Sequence, residues 1–485
     1  MSNLSELLPT GGGQNAVDFV ATGNLASGQT VALKTDGTVE AVAGVAEGVG
    51  AESVFESAQT DWVTATFDSN SNKVVIAYKD DGNSSYGTAV VGTVSGTSIS
   101  FGTPVVFENA FAQEISITFD STANKVVISY ADGGNSYYGT AVVGTVSGTS
   151  ISFGTAVVFK SAYAGYVGST FDSTNNKTVI CFRDAGNSTY GTAIVGTVSG
   201  TSISFGSAVV FETADSRYTV ATFDSSANKV VIAYGDAGNS NYGTAIVGTV
   251  SGTSISFGTA VVFETAAVAF LSVTFDSTNN KVVIAYNDAG NSYYGTAVVG
   301  TVSSTSISFG TPVVYSGSKA NYISATFDST ANKVVVAYND DGNSGYGTTS
   351  VGTVSGTSIS FGAKAVFNTA NTFYNTTTYD STNNKVVIGY RDAGNSFYGT
   401  AVVFTVGSTN LSATTFLGIT SEAISSGATG AINTYGGINT VQTGLTIASD
   451  YYVQIDGTLS TASASPAIKV GQAVSATTIN MKDLT

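Results

Sequence analysis

Hydrophobic and polar residues alternate over short segments throughout residues 47–407 of the 485-residue chain. In the first full copy of this pattern, the alternating segments are residues 63–67, 73–78, 86–94 and 99–107. Alternation with period two in segments rich in Val, Ile, Thr, Tyr and Phe predicts short β-strands. The intervening sequences D-S-N-S-N-K and S-G-T-S favour tight turns. Each copy is therefore predicted to form four antiparallel strands.

The whole pattern repeats seven times at one fixed interval. Its clearest landmark is the aspartate of T-(F/Y)-D-S-x-x-N-K, and consecutive landmarks lie 52 residues apart, at Asp68, Asp120, Asp172, Asp224, Asp276, Asp328 and Asp380. Four strands per repeat of about 50 residues are typical of one blade of a β-propeller. We therefore predict an all-β fold with a seven-bladed β-propeller of four-stranded antiparallel blades.

The two ends of the repeat array predict how the ring closes. The seventh copy lacks the sequence of the fourth strand, but residues 50–57 match residues 102–109 at the repeat interval. We expect this N-terminal segment to supply the outer strand of blade 7, because an open ring would leave strand edges and blade faces unpaired.

The segments outside the array predict one further module. Residues 31–42 read V-A-L-K-T-D-G-T-V-E-A-V, and the D-G pair favours a tight hairpin turn. A near-copy, Y-Y-V-Q-I-D-G-T-L-S, occupies residues 451–460. We predict a small β-sandwich or barrel-like module from residues 14–46 plus 408–485, with the propeller inserted as residues 47–407. Residues 1–13 are predicted to be a docking peptide or linker, or a partly ordered terminus.

Composition excludes several classes of function. The formal net charge is −16 and no basic block occurs, which argues against nucleic-acid binding. The chain has no histidine, so it lacks the commonest general base and metal ligand. Cys181 is the single cysteine and occupies a repeat position that otherwise holds small residues, which indicates packing. No signal peptide or apolar span is evident, so we expect synthesis in a cytoplasm without membrane insertion.

The seven copies differ mainly at two connections, which we expect to lie on one face of the propeller. The connection from the fourth strand to the next blade carries Trp62, Glu114, Tyr166, Tyr218, Phe270, Tyr322 and Tyr374 at one repeat position. We interpret this face as the binding face, because aromatic side chains give large contact areas at little entropic cost. The alternative is that these residues pack beside the central channel. The neighbouring Asp61, Gln113, Arg217, Lys319 and Asn371 are expected to be exposed.

The loop between the second and third strands adds further candidates to this face. Its variable positions flank D-x-G-N-S and include Lys79, Arg183 and Arg391 before it and Tyr137, Tyr293 and Phe397 after it. With Asp61 and Arg217 from the first connection, these residues complete the predicted ligand-binding set.

Catalytic and metal-binding residues are not predicted. The aspartate of D-x-G-N-S resembles the Asp-box turns of sialidase propellers, but each loop offers essentially one carboxylate, whereas calcium needs several oxygen ligands. We interpret these aspartates as turn caps. A glycosidase needs two carboxylates facing one cleft, and the strong aspartates are all repeated seven times. No cofactor is predicted.

Both ends of the chain resemble those of bacteriophage virion proteins. The resemblance lies in the opening M-S-N-L-S-E-L-L-P, in L-K-T-D-G-T-V, and in the closing segments E-A-I-S-S-G-A-T-G and Y-Y-V-Q-I-D-G-T-L-S. It points to tail-fibre-like and other appendage proteins of marine tailed phages, in which similar F-D-x-x-x-N-K-V-V-I-x-Y-x-D repeats often occur.

This resemblance implies a non-enzymatic virion structural protein. We expect the terminal module to anchor it to other virion proteins, as a homo-oligomer, and the propeller to bind a glycan or protein receptor on the host surface. One alternative is a capsid decoration or fibre-spacer protein with no specific ligand. Another is a glycan-degrading enzyme.

Overall fold

The computed structural model describes residues 15–463 and 466–482, so the predicted docking peptide, residues 1–13, lies outside the described residues. The chain forms two compact units. Of the described residues, one unit comprises those of 15–47 and 407–482, and the other comprises residues 48–406. The predicted boundaries at residues 46 and 408 differ from these by one residue.

The larger unit is a seven-bladed β-propeller, as predicted. Its most distinctive elements are seven 16-residue strands that each serve two blades, and we call them crossing strands. The first half of a crossing strand is the outer strand of one blade and the second half is the inner strand of the next. They are Ser53–Asp68, Val105–Asp120, Val157–Asp172, Val209–Asp224, Val261–Asp276, Val313–Asp328 and Ala365–Asp380.

The middle of each blade contains two antiparallel strands. The second strands are Lys73–Asp80, Lys125–Asp132, Lys177–Asp184, Lys229–Asp236, Lys281–Asp288, Lys333–Asp340 and Lys385–Asp392. The third strands are Tyr86–Ser95, Tyr138–Ser147, Tyr190–Ser199, Tyr242–Ser251, Tyr294–Ser303, Tyr346–Ser355 and Tyr398–Thr405.

The outer strand differs from the prediction because it is made of two pieces. In blade 1 the third strand pairs first with Ser98–Phe101 and then, after a break, with the start of Val105–Asp120. The other short strands of this kind are Ser150–Phe153, Ser202–Phe205, Ser254–Phe257, Ser306–Phe309 and Ser358–Phe361. The prediction of one continuous strand over residues 99–107 was therefore wrong.

The second and third strands are joined by short 3₁₀ turns at D-x-G-N-S. Each turn is capped by the aspartate that precedes it; in blade 1 the Asp80 carboxylate accepts hydrogen bonds from the backbone N–H of Gly82 and Asn83, at 2.9 and 3.2 Å. The turns are Asp81–Asn83, Gly133–Asn135, Ala185–Asn187, Ala237–Asn239, Ala289–Asn291, Asp341–Asn343 and Ala393–Asn395.

Ring closure follows the predicted route. In blade 7, the third strand Tyr398–Thr405 pairs with Gly48–Val49 and with the first half of Ser53–Asp68. Phe404 lies opposite Val49, as Gly92 lies opposite Phe101 in blade 1. The N-terminal segment thus completes the last blade and joins it to the first through backbone hydrogen bonds.

The turns after the inner strands link neighbouring blades on the face opposite the 3₁₀ turns. The Asp68 carboxylate accepts backbone N–H bonds from Asn70 and Ser71, both at 2.9 Å. Threonine hydroxyls donate to the turn asparagine of the next blade, and the bond from Thr382 to Asn72, 2.6 Å, joins blade 7 to blade 1. We call this the uniform face, because its sequence hardly varies among the copies.

Between blades, the core consists of aliphatic and aromatic side chains. The second strands are buried along almost their whole length, since blades cover both of their faces. Val75 of blade 1 packs in one cluster with Val126 and Ile128 of blade 2. Cys181 lies in this core, and burial raises the pKa of its thiol to about 12, consistent with a packing role.

The smaller unit contains two five-stranded antiparallel sheets. The first combines both chain ends, in the order Ala16–Val20, Thr429–Asn433, Phe416–Thr420, Thr30–Leu33 and Val39–Ala41. The second consists of C-terminal strands, in the order Ile438–Asn439, Thr478–Asn480, Ile468–Ser475, Asp450–Val453 and Leu459–Ser460. A separate pair joins Gly44–Val45 to Ser408–Thr409.

The two predicted hairpins are present, one in each of these sheets. Thr30–Leu33 pairs with Val39–Ala41, and Asp450–Val453 pairs with Leu459–Ser460. The turn glycine of each hairpin has a φ near +80°, which glycine adopts without strain. Side chains of both sheets, including Phe416, Ile419, Val453, Val470 and Ile479, share one core. In the described part of the chain, no helix is long and apolar enough to cross a membrane.

Candidate functional site

Each crossing strand contains a β-bulge where it passes from one blade to the next. In the first, the register with the second strand breaks between Asp61 and Thr64, and Trp62 within this break has a φ of +47°. The equivalent residues of all seven blades have φ between +47° and +54°. Bulky residues rarely adopt this left-handed conformation, and bulges commonly re-aim a side chain. The prediction of a separate connecting segment between the fourth strand and the next blade was therefore wrong, because the chain continues there as one strand with a bulge.

Six of the seven bulge residues form a continuous series of aromatic rings, which we call the aromatic arc. Neighbouring ring centres lie 5.0–5.8 Å apart, in tilted orientations that suit aromatic quadrupoles. All six side chains are partly exposed. In order around the propeller, the arc consists of Trp62, Tyr374, Tyr322, Phe270, Tyr218 and Tyr166.

The arc surrounds a cavity of about 360 Å³ that all seven blades line. Each blade contributes its bulge residue and the residues that follow it on the inner strand, so the cavity lies at the centre of the ring. The bulge residues thus combine the two roles left open by the sequence: their rings pack against each other and also border the central cavity.

Glu114 takes the seventh place and interrupts the arc. Its carboxylate accepts hydrogen bonds from the backbone N–H of Tyr166, at 2.9 Å, and from the Tyr163 hydroxyl, at 3.2 Å. Burial raises the pKa of Glu114. Burial also raises the pKa of Tyr374 to about 12, so the phenol remains protonated at neutral pH.

Asn375 gives the central cavity a polar group without a partner. It follows Tyr374, lines the cavity and is 7% exposed, and neither its Oδ1 nor its Nδ2 bonds to any described residue. At the same repeat position the other blades have Val63, Ile115, Val167, Thr219, Leu271 and Ile323. A buried amide without a partner is costly, so its presence here points to a ligand or to ordered water.

Beside the arc, blades 7 and 1 share a group of paired charges, which we call the ion-pair cluster. Asp61 bonds to Arg391, and it lies 2.7 Å from the Lys79 ammonium, which is 2.9 Å from Asp81. Asp61 and Lys79 are each 7% exposed, so the expected exposure of Asp61 was wrong. Burial alone would lower the pKa of Lys79, but hydrogen bonds to the two carboxylates raise it.

The cations of this cluster also lie over aromatic rings. Lys79 Nζ is 5.3 Å from the centre of the Trp62 ring and 5.0 Å from that of Phe111. The Arg391 guanidinium carbon lies 4.3 Å from Phe373, 5.2 Å from Tyr374 and 5.3 Å from Phe397. Lys79 and Arg391 therefore hold the start of the inner strands together.

Lys79, Arg183 and Arg391 belong to the second strands and not to the loops predicted to carry them. Arg183 bonds to Asp215, which also accepts a 3.0 Å hydrogen bond from Arg217. Burial would raise the pKa of Asp215, but the two guanidinium groups hold it below its usual value. Arg217 is exposed, as expected, together with Lys319 and Asn371, whereas Gln113 is half-buried.

Tyr137, Tyr293 and Phe397 project from the end of the D-x-G-N-S turns. They are 41%, 51% and 40% exposed, and each has a left-handed backbone conformation. Their rings lie on the same side of the propeller as the bulges, since Tyr137 contacts Phe111 and Tyr163 at 6.1 Å between ring centres. The structure thus brings the two variable connections together on one face, which we call the variable face.

A second cavity, of about 410 Å³, opens on the variable face in blades 5 and 6. We call it the amide pocket, because four asparagines line it. Tyr293 and Phe373, the arc residues Phe270 and Tyr322, and the oppositely charged pair Lys319 and Asp341 complete most of its wall. The four asparagines are Asn287, Asn321, Asn339 and Asn371.

The asparagines of the amide pocket were not among the predicted binding residues. Comparison of the repeats contains a signal for them: Asn287 and Asn339 occupy the position of Lys79 and Arg391, and Asn321 occupies that of Asp61. Substitution of charges by amides in two adjacent blades marks this sector. In the described residues no three acidic or cysteine side chains are grouped as a metal site requires.

The sequence matches no protein-family model and no curated protein. Similar solved structures include the β-propeller domain of Cps50 (Swd1) from Myceliophteria thermophila, with 6% identity, a TM-score of 0.48, and coverage of 73% of this chain and 100% of that one. A leech intramolecular trans-sialidase has 8% identity, a TM-score of 0.44, and coverage of 73% and 69%.

A protein of unknown function from Dyadobacter fermentans has 10% identity, a TM-score of 0.46, and coverage of 75% and 99%. Similarities of this size say nothing about function. The assignment of seven blades rests on the strand pairing of this chain itself.

Proposed function

We propose that this protein is a non-enzymatic virion structural protein whose propeller binds a receptor on the host-cell surface through the variable face. The terminal unit anchors the protein to other virion proteins, as a homo-oligomer. The resemblance of the chain ends to phage appendage proteins supports the virion setting, and the structure of the propeller supports the binding role.

The aromatic arc is the observation that carries the binding role. Six partly exposed rings surround a cavity that contains the unpartnered amide of Asn375. Each ring sits at a left-handed bulge position, a conformation that costs bulky residues roughly 1 kcal/mol or more. Strained backbone at seven equivalent positions, with large contact area and spare hydrogen-bonding capacity, fits a surface built for a ligand better than one built only for stability.

Virions carrying Trp62→Ala, Tyr218→Ala and Tyr374→Ala together test this proposal. We expect adsorption to host cells to fall by at least tenfold, because half of the arc is removed. The matched control carries Thr97→Ala, Thr149→Ala and Thr201→Ala, three exposed turn residues on the uniform face, and we expect it to adsorb normally.

A second measurement covers the case in which the triple variant does not fold. Purified wild-type protein, added in excess, should compete with virions for host cells. Unchanged adsorption of a folded triple variant, or no competition by the wild-type protein, would contradict receptor binding and favour a capsid decoration or spacer role. Release of reducing sugar from host polysaccharide would favour an enzyme.

A further inference from the structure

We infer that the amide pocket binds a neutral saccharide unit, with the asparagine amides bonding its hydroxyls and Tyr293 covering its C–H face. This inference deepens the proposed receptor binding and rests on it for its biological setting. It names both a ligand class and a location, the sector of blades 5 and 6, that the aromatic arc alone does not define.

Three amides of the pocket retain hydrogen-bonding groups that no described residue uses. Asn287 donates through Nδ2 to the carbonyl of Ala320, at 2.8 Å, which leaves its Oδ1 without a donor. Asn371 accepts from Asn339, at 2.6 Å, and its Nδ2 is not engaged. Asn321 makes one long bond of 3.5 Å to Asn339, and its Oδ1 has no donor.

All three residues line one cavity, and their unused groups form a mixed set of two acceptors and one donor. The Oδ1 atoms of Asn287 and Asn321 accept, and the Nδ2 of Asn371 donates. A saccharide hydroxyl both donates and accepts, so adjacent hydroxyls of a sugar ring match such a set. A purely apolar ligand would leave the amides unpaired, which costs free energy.

Asn339 fixes the geometry of the pocket and does not contribute a free hydrogen-bonding group to it. It is buried, and the two N–H groups of its Nδ2 are shared among three acceptors, the carbonyls of Gly345 and Thr372, at 2.8 and 3.0 Å, and the Asn371 Oδ1, at 2.6 Å. The exposed Asn371 side chain is thereby held in one orientation. Preorganised polar groups of this kind reduce the entropy lost on binding.

The charge of the pocket favours a neutral ligand. Lys319 and Asp341 are the two charged side chains in its lining, and their charged atoms lie 3.9 Å apart, so their charges compensate. An acidic saccharide would require an unpaired cation. In this sector the repeat position of Lys79 and Arg391 holds Asn287 and Asn339, and that of Asp61 holds Ala269 and Asn321, so neither a free guanidinium nor a free carboxylate faces the pocket from them.

Aromatic rings supply the apolar part of the recognition. Tyr293 is the most exposed aromatic residue in the described part of the chain, at 51%. Its side chain borders the pocket. The partly exposed rings of Phe373 and Tyr322 form further wall. Aromatic faces pack well against the C–H face of a pyranose, while the tyrosine hydroxyl remains free to bond. The cavity also has the size of small-molecule sites, roughly 300 to 1,000 Å³.

Binding of purified neutral and sialylated oligosaccharides to the full-length protein tests the inference, first on a glycan array and then by calorimetry with the best neutral ligand. We expect neutral oligosaccharides to bind. Tyr293→Ala and Asn371→Ala should each weaken that binding at least tenfold. The control is Thr97→Ala, at an exposed turn residue of the uniform face, for which we expect wild-type affinity. Tyr137→Ala removes the exposed tyrosine at the same repeat position in blade 2, outside the pocket, and should weaken the binding less than Tyr293→Ala does.

Several outcomes would overturn the inference while leaving the proposed receptor binding intact. Binding of sialylated but not neutral oligosaccharides would contradict the neutral ligand class. Equal losses in Tyr293→Ala and Tyr137→Ala would place the saccharide elsewhere on the variable face. Absence of saccharide binding, with adsorption still dependent on the aromatic arc, would indicate a protein receptor. Conversely, saccharide binding by the pocket with normal adsorption of the arc variant would support the pocket and contradict the role of the arc.

Discussion

The ion-pair cluster of blades 7 and 1 and the amide pocket of blades 5 and 6 use the same repeat positions for opposite purposes. In the cluster, Asp61 is surrounded by Lys79 and Arg391, and each ion has a partner of opposite charge. In the pocket, Asn321 takes the position of Asp61, while Asn287 and Asn339 take the position of the cations. Paired charges have few hydrogen-bonding groups left for a ligand, whereas the amides of the pocket retain free donors and acceptors.

This comparison separates residues that stabilise the ring from residues available for binding. Removal of Asp61, the carboxylate shared by the two cations of the ion-pair cluster, leaves Arg391 without a carboxylate, so the folded state should lose stability. Removal of an amide with spare capacity deletes few internal bonds, so the folded state should change little. The free energy of unfolding of single variants therefore measures which sector has which role.

The largest expected effect is that of Asp61→Ala. This change leaves Lys79 and Arg391 without their shared carboxylate in a largely buried site, and we expect a loss of about 3 kcal/mol in the free energy of unfolding. Denaturant unfolding of the full chain measures it. Trp62 is the only tryptophan of the sequence and lies beside Lys79, so its fluorescence reports on this sector.

The control for Asp61→Ala is Asn321→Ala, at the same repeat position in blade 6. A loss below about 0.5 kcal/mol in Asp61→Ala, the range of ordinary surface substitutions, would show that the cluster does not stabilise the join between blades 7 and 1. Thermal unfolding provides an independent comparison of the two variants.

Asn375→Val is expected to act in the opposite direction. The substitution removes an unpartnered buried amide and installs the residue found at this position in blades 1 and 3. We expect the protein to gain about 1 kcal/mol of stability, because an unsatisfied buried polar group costs roughly that much. Equilibrium unfolding in denaturant measures the gain. A loss of stability instead would mean that ordered water already satisfies the amide, and receptor adsorption of the same variant would then separate structural from binding roles.

A smaller, pH-dependent effect is expected for Glu114. Because burial raises its folded-state pKa above 4.5, its contribution to stability is fully present below pH 4.5 and is lost as pH rises through the folded value. Glu114→Gln remains uncharged, so this variant should exceed the wild type in stability at pH 7, and the difference should narrow as pH falls toward 4.5. Thermal unfolding across this range measures it. A constant difference at all pH values would mean that ionisation of Glu114 is not the cause.

Much of the fold could be predicted because the repeat imposes it. The interval between Asp68 and Asp120 fixes the blade, and the match of residues 50–57 to residues 102–109 fixes how the ring closes. The continuous crossing strands could not be predicted, because a bulge with left-handed φ at an aromatic residue has no sequence signature comparable to that of Asn or Gly.

The sequence predicted which face of the propeller carries the candidate site, but it did not predict the interactions within that site. Variation among copies indicates which connections differ, but it does not reveal which side chains neutralise each other. Asp61 and Lys79 lie 18 positions apart, and Arg391 lies in the last blade, so only closure of the ring brings the three together. Asn321 and Asn371 likewise become binding candidates only because folding brings blades 5 and 6, with Phe373 of blade 7, around one pocket.

The smallest expected effect on stability, and the sharpest contrast with Asp61→Ala, is that of Asn321→Ala. Its side chain makes one long hydrogen bond and is partly exposed, so we expect a change within about 0.5 kcal/mol in the free energy of unfolding. Affinity for a neutral oligosaccharide should nevertheless fall at least tenfold, because an acceptor of the pocket is lost. Denaturant unfolding and calorimetry on the same sample separate the two quantities. A large loss of stability would make Asn321 a structural residue like Asp61 and remove the distinction between the two sectors.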